Sequence, residues 1–520
     1  MLLYCTIIDP QIMTFDSKVK WVDGLDRVLP ALGLNRLIAA ERTYNVEEEI
    51  MIFNELYSGL NVQHKEVYTI INNDRRLFFI SGCGGTCKTY LWRTIIASIQ
   101  LHGKIVLSVV SSSIASLSLP GGRITHSKFN IPIDIDKDSA CGIDIGSDVV
   151  ELINIIELII WDEAPLQHRY SFEVVDHVFH DICRYYVPGS ENKVFGGKVV
   201  APGVIFVKFR LLFNMERVLM SFPLVYGIHV VFFVLTTNMC LYNQTITGAE
   251  LIQMREFCKW LLGMGVGRLP TCTVEGDDDA TWITIVDDLL IPIVDNPIDV
   301  VTSLVFPDIF SRVNDISYIK ERCIRPKNDD VDMINLHVLC NMSGDMHEIT
   351  DNFAKLEIMY PLEFLNTLRF SGIPNHKLNL KVGVPIILLR NLNLQRGLCS
   401  GTMMVIIQIS RRVLEAVIIT GTHIGEKVLI GRIDMTAMDT TWPFRFKRRQ
   451  FPVKVCFTMT INKSQGQTFN HVCEFLVKPV FSHGQLYVTT SRVTPRVDLH
   501  FYIDNNGKCG NNMTKNVVYK

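Results

Sequence analysis

A glycine-rich octet between an apolar segment and a helix-like segment most constrains what this chain can form. Residues 82–89 read GCGGTCKT and match the phosphate-binding pattern G-x-x-x-x-G-K-[ST] at every fixed position except Cys87, where the pattern has glycine. The stretch RRLFFISG leads into the octet, and YLWRTIIASIQ follows it. These flanks predict a buried strand and a helix, and their order predicts a doubly wound α/β domain.

Such an octet binds phosphate because its backbone N–H groups point inward at phosphate oxygens. Lys88 is expected to neutralise the terminal phosphates and Thr89 to offer its hydroxyl to Mg²⁺. Cys87 is expected to crowd the phosphate or twist the loop. A glycine-rich turn remains the alternative for the octet taken alone. The residues predicted to bind nucleotide are Gly82, Cys83, Gly84, Gly85, Thr86, Cys87, Lys88 and Thr89.

A second apolar strand ends in two acids. The segment IIELIIWDEA (155–164) carries Asp162 and Glu163 at its carboxyl end. Asp162 is predicted to hold Mg²⁺, and Glu163 to orient or deprotonate an attacking water. A strand end with two solvated acids is the alternative. Together with the octet, this strand predicts a nucleoside-triphosphate site.

Length and charge bound the remaining possibilities. A chain of 520 residues suggests about two to four domains. Its 51 basic and 53 acidic residues nearly balance, so a nucleic acid would have to bind a local groove. The apolar excess in 201–235 has no uninterrupted run of the ~18 residues that a membrane span needs. The 14 cysteines form no C-x-x-C pair, so no zinc site is predicted, and a disulfide framework is not expected in a chain this large.

Three separated blocks resemble one family. They are SSSIASLSLPGGRITHSKFNIPIDI (111–135), IIWDEAPLQHRYSFEVVDHVFHDI (159–182), and TINKSQGQTF with PVFSHGQLYVTTSRVT (460–494). In this order they are similar to the Pif-type (petite integration frequency) DNA helicases of superfamily one, in particular the plant branch related to Helitron transposon helicases. The likeness runs from about Leu60 to the C-terminus, with a gap near 201–230.

The resemblance implies an α/β fold of two RecA-like P-loop NTPase lobes, with a small SH3-like β-barrel inserted in the second. The strand-rich texture of 380–448 agrees with such a barrel. The expected domains are an N-terminal helical extension (1–58), the first RecA-like lobe (59–235), the first part of the second lobe (236–379), the barrel (380–448) and the rest of the second lobe (449–520).

The resemblance also implies a function. The family couples ATP hydrolysis, with Mg²⁺, to 5′-to-3′ movement on single-stranded DNA and to unwinding of forked DNA, in DNA repair, recombination and telomere maintenance. We therefore expect a nuclear protein with DNA as its partner, no membrane association and no inferable obligate protein partner. The alternative is a transposon-derived remnant that binds nucleic acid without ATP turnover. The INKSQGQT and YVTTSRVT blocks argue against an unrelated P-loop kinase or GTPase.

Residue by residue, the resemblance assigns catalysis to Lys88, Glu163 and Arg492. Arg492 matches an arginine finger, which contributes ~10³–10⁵ in rate where it has been measured. His126 and Phe129 are expected to face DNA, although a packed core position is the alternative for Phe129. The TINKSQGQT block adds two nucleotide-binding and three DNA-contacting residues: Gln465 and Gly466, then Thr460, Lys463 and Ser464.

Several departures from the family pattern accompany Cys87. Cys240 replaces an arginine at the end of TTNMC, and His64 stands where a glutamine is expected to read adenine, with Gln63 one place early. The acid-and-glutamine motif expected after FGGKVV is missing. We attribute the segment 201–230 to an altered reading frame or a mis-joined exon, which sequencing of the transcript would test. The basic run RFKRRQ (445–450) suggests phosphate contact or nuclear targeting, with a solvated face as the alternative.

Overall fold

The computed structural model describes most of the chain beyond residue 34. The described residues are 35–42, 44–74, 77–82, 84–132, 135–144, 146–164, 167–205, 230–237, 239, 248–274, 277–307, 322–325, 328–351, 361–370, 372–393, 396–421, 423–436, 446–460, 469, 471–480, 484–491, 493, 495–505 and 510–518.

The α-helices lie mostly before and between the strands of the parallel sheets. They are α1 (Arg36–Glu41), α2 (Val46–Ser58), α3 (Val62–Asn73), α4 (Lys88–Leu101), α5 (Ser113–Ser116), α6 (Thr125–Phe129), α7 (Asp148–Ile155), α8 (Arg169–Cys183), α9 (Gly248–Gly265), α10 (Pro297–Val305), α11 (Asn328–Asn341), α12 (Leu362–Thr367) and α13 (Gln485–Thr490).

The strands fall into groups that follow the chain. They are β1 (Phe78–Gly82), β2 (Ile105–Val110), β3 (Arg123–Ile124), β4 (Ile156–Asp162), β5 (Val199–Ile205), β6 (Val231–Leu235), β7 (Thr271–Val274), β8 (Asp277–Thr284), β9 (Arg322–Arg325), β10 (His347–Thr350), β11 (Lys377–Leu380), β12 (Pro385–Leu388), β13 (Met403–Ile409), β14 (Val413–Ile418), β15 (Lys427–Gly431), β16 (Ile433–Thr436), β17 (Lys447–Gln450), β18 (Val453–Val455), β19 (Thr458–Thr460), β20 (Val472–Leu476), β21 (Leu499–Ile503) and β22 (Met513–Lys515).

The first lobe is built on a parallel six-stranded sheet in the order β3-β2-β4-β5-β1-β6. Its central strands consist mostly of apolar residues because helices cover both faces. Successive side chains point to opposite faces, so Phe78 and Ile80 pack against α4, while Phe79 joins the core under α8. This arrangement brings the carboxyl ends of β1 and β4 to the same edge of the sheet.

The second lobe repeats the principle on a smaller scale. A parallel four-stranded sheet has the order β19-β9-β20-β21, and helix α13 packs into the core beside it. The α/β fold class predicted from the sequence is confirmed. Within the described residues, no helix is long and apolar enough to cross a membrane.

An antiparallel five-stranded sheet, in the order β15-β14-β13-β12-β18, lies in the chain between β9 and β19 of the second lobe. Its edge strand β18 lies after residue 448, where the barrel was expected to end. Val453 and Val455 of β18 are both buried in the same core as the other strands of this sheet. The strands of this sheet therefore extend beyond the expected boundary. Two further antiparallel pairs, β10 with β11 and β16 with β17, lie in the same part of the chain.

Candidate nucleotide-binding site

The glycine-rich octet forms the turn between β1 and α4, as its flanks predict. Cys87 is the N-cap of α4, and its carbonyl oxygen accepts hydrogen bonds from the backbone N–H groups of Tyr90 and Leu91. The N–H groups of the first helical turn have no acceptor within the helix, so they can bind an anion. Gly82 is required by close approach, since a Cβ there would lie 2.4 Å from Thr86 Oγ1.

Cys87 has a left-handed backbone conformation, with φ 51° and ψ 43°. Glycine adopts these angles freely, whereas a residue with a Cβ is strained there by about 1–2 kcal/mol. The loop therefore has the backbone shape for which the pattern uses glycine, with a strained cysteine in it. The expected crowding of the phosphate by the thiol stays a prediction.

Lys88 and Asp162 form a buried ion pair between the octet and the end of β4. Lys88 Nζ donates to Asp162 Oδ1 at 2.5 Å, and the two side chains are 8% and 10% exposed. A buried charge requires such a partner. Gly203 on β5 makes room for the carboxylate, because a Cβ there would lie 2.4 Å from Asp162 Oδ1. Thr89 is half-buried in the first turn of α4.

Glu163 is the second residue of the site with strained backbone, at φ 52°. Its Oε2 accepts a hydrogen bond from Ser112 Oγ at 2.8 Å, and its carbonyl oxygen accepts one from Ser111 Oγ at 2.7 Å. Non-glycine residues in this conformation cluster at functional sites, where surrounding contacts hold them. The two serines directly follow β2. Sequence reasoning quoted them within a motif block but gave them no role.

His64 lies beneath the octet rather than at its open side. Its side chain is fully buried, and its Nε2 lies 3.0 Å from the carbonyl oxygen of Thr86, a contact in which Nε2 carries the proton. Burial lowers the pKa of His64 below its ordinary value. Gln63 instead accepts hydrogen bonds from the backbone N–H groups of Thr236 and Thr237, beyond β6. The substitution therefore supports the loop from below with a neutral imidazole.

A residue of the second lobe also contacts the octet. The N–H of Gly84 donates to the hydroxyl of Tyr487 at 2.9 Å, and Tyr487 lies on α13. A Cβ at Gly84 would lie 3.6 Å from the Cβ of Ser491, which follows α13. Sequence reasoning placed Tyr487 in the YVTTSRVT block but did not assign it to the site. A tyrosine among apolar helix residues gives no such signal before the lobes are assembled.

Two residues of the first lobe were predicted to face DNA, and the structure contradicts that prediction for Phe129 only. Phe129 is 1% exposed and packs against Trp161 and Phe179. Its predicted contact with DNA is wrong, since no base can reach a ring inside the core. His126 is half-buried, and burial lowers its pKa. Its Nδ1 lies 3.4 Å from Nε2 of Gln167, which sequence reasoning missed.

The basic run near 445 is divided by the alternation of strand β17. Arg448 is 1% exposed and forms an ion pair with Asp351, so it is part of the core. Lys447 is exposed and pairs with Asp434 at 2.8 Å. Arg448 therefore has none of the roles expected for this run, neither phosphate contact or nuclear targeting nor a solvated face, because alternate residues of a strand point in opposite directions.

Several predicted site residues lie outside the part of the chain that the structure describes, and their roles stay predictions. For Thr460, the last residue of β19, the structure describes the backbone only. Among the described residues, no group of three or more His, Cys, Asp or Glu side chains could hold a metal ion. The residues outside the description are Cys83, Cys240, Lys463, Ser464, Gln465, Gly466 and Arg492, together with the segment 206–229.

The first lobe has a phosphate-type loop at the edge of an all-parallel sheet. A helix that packs beside a second parallel sheet contacts this loop. These features define a two-lobed α/β P-loop protein. Comparison with known families makes the class more specific. Residues 59–275 match the model of the PIF1-like helicase, and residues 363–409 match the 2B domain of DNA helicase Pif1. The chain belongs to the PIF1-like helicase family. The plant branch stays a prediction.

Individual relatives agree with this family. The ATP-dependent DNA helicase PIF1 of Danio rerio is 30% identical over 32% of this chain, and the chain covers only 24% of that protein. The ATP-dependent DNA helicase Pif1 of Campylobacter jejuni is 24% identical over 82% of this chain and 88% of the relative.

Solved structures agree in fold. The Bacteroides Pif1 structure bound to ssDNA has a TM-score of 0.55 and 19% identity, covering 85% of this chain and 91% of its own. The Candida albicans Pif1 structure has a TM-score of 0.53 and 18% identity, covering 86% and 96%. At these identities the likeness concerns the fold alone.

Proposed function

We propose that this protein is an ATP-dependent DNA helicase that couples ATP hydrolysis to 5′-to-3′ movement on single-stranded DNA and to duplex unwinding. The observation that carries the proposal is the buried Lys88–Asp162 pair beneath a phosphate-type loop. Family membership supports it, and so does the Bacteroides Pif1 structure in complex with ADP-AlF3 and ssDNA. The loop supplies N–H donors for a triphosphate, and Lys88 supplies the compensating charge.

Mg²⁺ fits the donors at this edge of the sheet. The Thr89 hydroxyl and the Asp162 carboxylate offer the oxygen ligands that Mg²⁺ prefers. Because Lys88 contacts Oδ1 of Asp162, Oδ2 would be the carboxylate oxygen left to hold the metal. When bound, Mg²⁺ neutralises charge on the phosphate oxygens.

Glu163 is proposed to orient the attacking water and accept its proton. The hydrogen bond from Ser112 fixes one carboxylate oxygen at 2.8 Å, which limits the orientations of the carboxylate. A positioned general base contributes about 10²–10⁴ in rate. Further proposed roles follow the family resemblance: the phosphate clamp for Gln465, Gly466 and Arg492, and DNA contact for His126, Thr460, Lys463 and Ser464.

The finer assignments are also proposals. Single-stranded and forked DNA are the proposed substrates, and the plant branch related to Helitron helicases is the proposed subfamily. A nuclear location and roles in repair, recombination and telomere maintenance follow from the same resemblance. The alternative, a remnant without turnover, is supported by the strained Cys87, but the family match favours the helicase.

The test is ATP hydrolysis by the full chain with and without single-stranded DNA. We expect DNA to stimulate turnover, and Glu163→Gln to lower it by about 100-fold or more while nucleotide binding is retained. Glu157→Gln serves as the matched control, since Glu157 lies at the opposite end of β4 and pairs with Lys104 at 3.0 Å. Salt-sensitive DNA binding without any turnover would instead identify the remnant.

A further inference from the structure

The contact between Gly84 and Tyr487 joins the phosphate loop of one lobe to a helix of the other. The Gly84 N–H donates to the Tyr487 hydroxyl at 2.9 Å, across 403 positions of sequence. Tyr487 is 2% exposed, so water does not replace this partner freely. Gly84 is one of the loop residues whose N–H would bind phosphate in the proposed function.

A backbone N–H has one proton to donate, and a good hydrogen bond uses it along one direction. The Tyr487 oxygen and a phosphate oxygen are therefore alternative acceptors for the Gly84 proton. The phosphate, being charged, forms the stronger bond. Nucleotide binding at this loop must then break the contact between the lobes or redirect it.

Tyr487 is held firmly on the side of the second lobe. Its neighbours Leu486 and Val488 lie in the same core as Phe257 and Leu261 of α9. The hydroxyls of the residues that follow it in α13 donate to carbonyl oxygens of the same helix: Thr489 and Thr490 to Leu486, and Ser491 to Val488. Because Tyr487 packs in this core together with its neighbours, displacement of its hydroxyl acts on α13.

We propose that Tyr487 is a positioning residue that competes with the triphosphate for the Gly84 N–H and so links nucleotide binding to the contact between the lobes. This inference rests on the proposed function, because it requires a phosphate at the loop. Its direction is definite. Removal of the Tyr487 hydroxyl eliminates the competitor and strengthens nucleotide binding.

The experiment measures the Kd of ADP and of a non-hydrolysable ATP analogue by calorimetry, for the full chain and for Tyr487→Phe. We expect binding about two- to tenfold tighter in the variant, the factor that corresponds to one net hydrogen bond. Tyr502→Phe is the matched control, because Tyr502 is equally buried but stacks on Phe475 in the sheet of the second lobe. Its Kd is expected to equal that of the wild type.

Hydrogen exchange without nucleotide provides a second readout. The Gly84 amide is expected to exchange faster in Tyr487→Phe than in Tyr502→Phe, and added ADP is expected to protect it in both. Equal or weaker nucleotide binding in Tyr487→Phe would overturn the inference while leaving the proposed function intact. If neither the wild type nor Tyr487→Phe binds nucleotide, this inference and the proposed function both fail. Faster exchange of the Gly84 amide in Tyr487→Phe than in Tyr502→Phe would then show a contact with a structural role only.

Discussion

Two buried ion pairs in this molecule are alike in distance and burial. Arg448 Nε lies 2.5 Å from Asp351 Oδ2 between β17 and the end of β10, and Lys88 Nζ lies 2.5 Å from Asp162 Oδ1 at the proposed nucleotide site. No side chain of either pair is more than 10% exposed. Distance and burial alone do not separate a structural pair from a functional one.

The partners around each pair do separate them. The guanidinium Nη1 and Nη2 of Arg448 donate to the carbonyl oxygens of Pro374 and Leu365, and the second oxygen of Asp351 contacts His376. Lys88 has three N–H donors, and among the described residues its ammonium donates to Asp162 alone. A pair whose two side chains both contact further buried groups holds the fold together. A pair with unused donors beside a loop of N–H groups can bind a further anion.

The largest effect is expected at the Arg448–Asp351 pair. Arg448→Ala should lower the free energy of unfolding by about 3–5 kcal/mol, because it leaves the Asp351 charge buried without its partner. Urea denaturation measures this. Arg449→Ala is the control on the same strand, since Arg449 is 62% exposed and should contribute less than about 1 kcal/mol. Equal effects of the two substitutions would contradict the structural role of Arg448.

A somewhat smaller effect, this time on turnover, is expected at the Lys88–Asp162 pair. Lys88→Ala should reduce DNA-stimulated ATP hydrolysis by about 10²–10³, the range for loss of one preorganised charge donor. Lys88→Ala should also lower stability, because it leaves the Asp162 charge buried without its partner. Adding Asp162→Ala should recover part of that stability but should not restore turnover. Lys104→Ala, at a surface pair, should change neither. Full activity in Lys88→Ala would show that this pair is structural as well.

The pH dependence of stability tests whether His64 supports the phosphate loop as a neutral imidazole. Its Nδ1 is buried and has no partner among the described residues, and burial lowers its pKa. Below the unfolded value of about 6.5 the unfolded chain takes up a proton that the folded chain resists, so stability present above that pH is lost as pH falls. The loss should be smaller in His64→Gln. Identical pH profiles of unfolding for wild type and variant would exclude a proton-sensitive loop.

Much of the first lobe was predictable, because its signals are local. The apolar runs of β1, β2 and β4 must be covered on both faces, and the octet between β1 and α4 has one conformation that binds phosphate. The adjacency of Lys88 and Asp162 follows from these, since the carboxyl ends of parallel strands meet at one edge. These predictions need only the local patterns of the strands and the loop.

The remaining contacts depend on tertiary packing that no local pattern reveals. Arg448 belongs to a run of cations, and only the pairing of β17 with β16 decides that it points inward. Tyr487 reaches Gly84 only when the second lobe packs on the first. Phe129 resembles a base-stacking residue in the sequence, but the position of α6 against Trp161 places it in the core.

The smallest effect is expected at Cys87, where two terms oppose each other. Cys87→Gly removes left-handed strain of about 1–2 kcal/mol but increases the entropy lost on folding by about 0.5–1 kcal/mol. A net gain in stability of about 0.5–1 kcal/mol is the expected result, with higher turnover if the thiol also obstructs phosphate. Cys340→Gly is the control, because Cys340 is exposed in helix α11 and only the entropic term acts there. This substitution should lower the free energy of unfolding. A destabilising Cys87→Gly would mean that contacts of the thiol outweigh its strain.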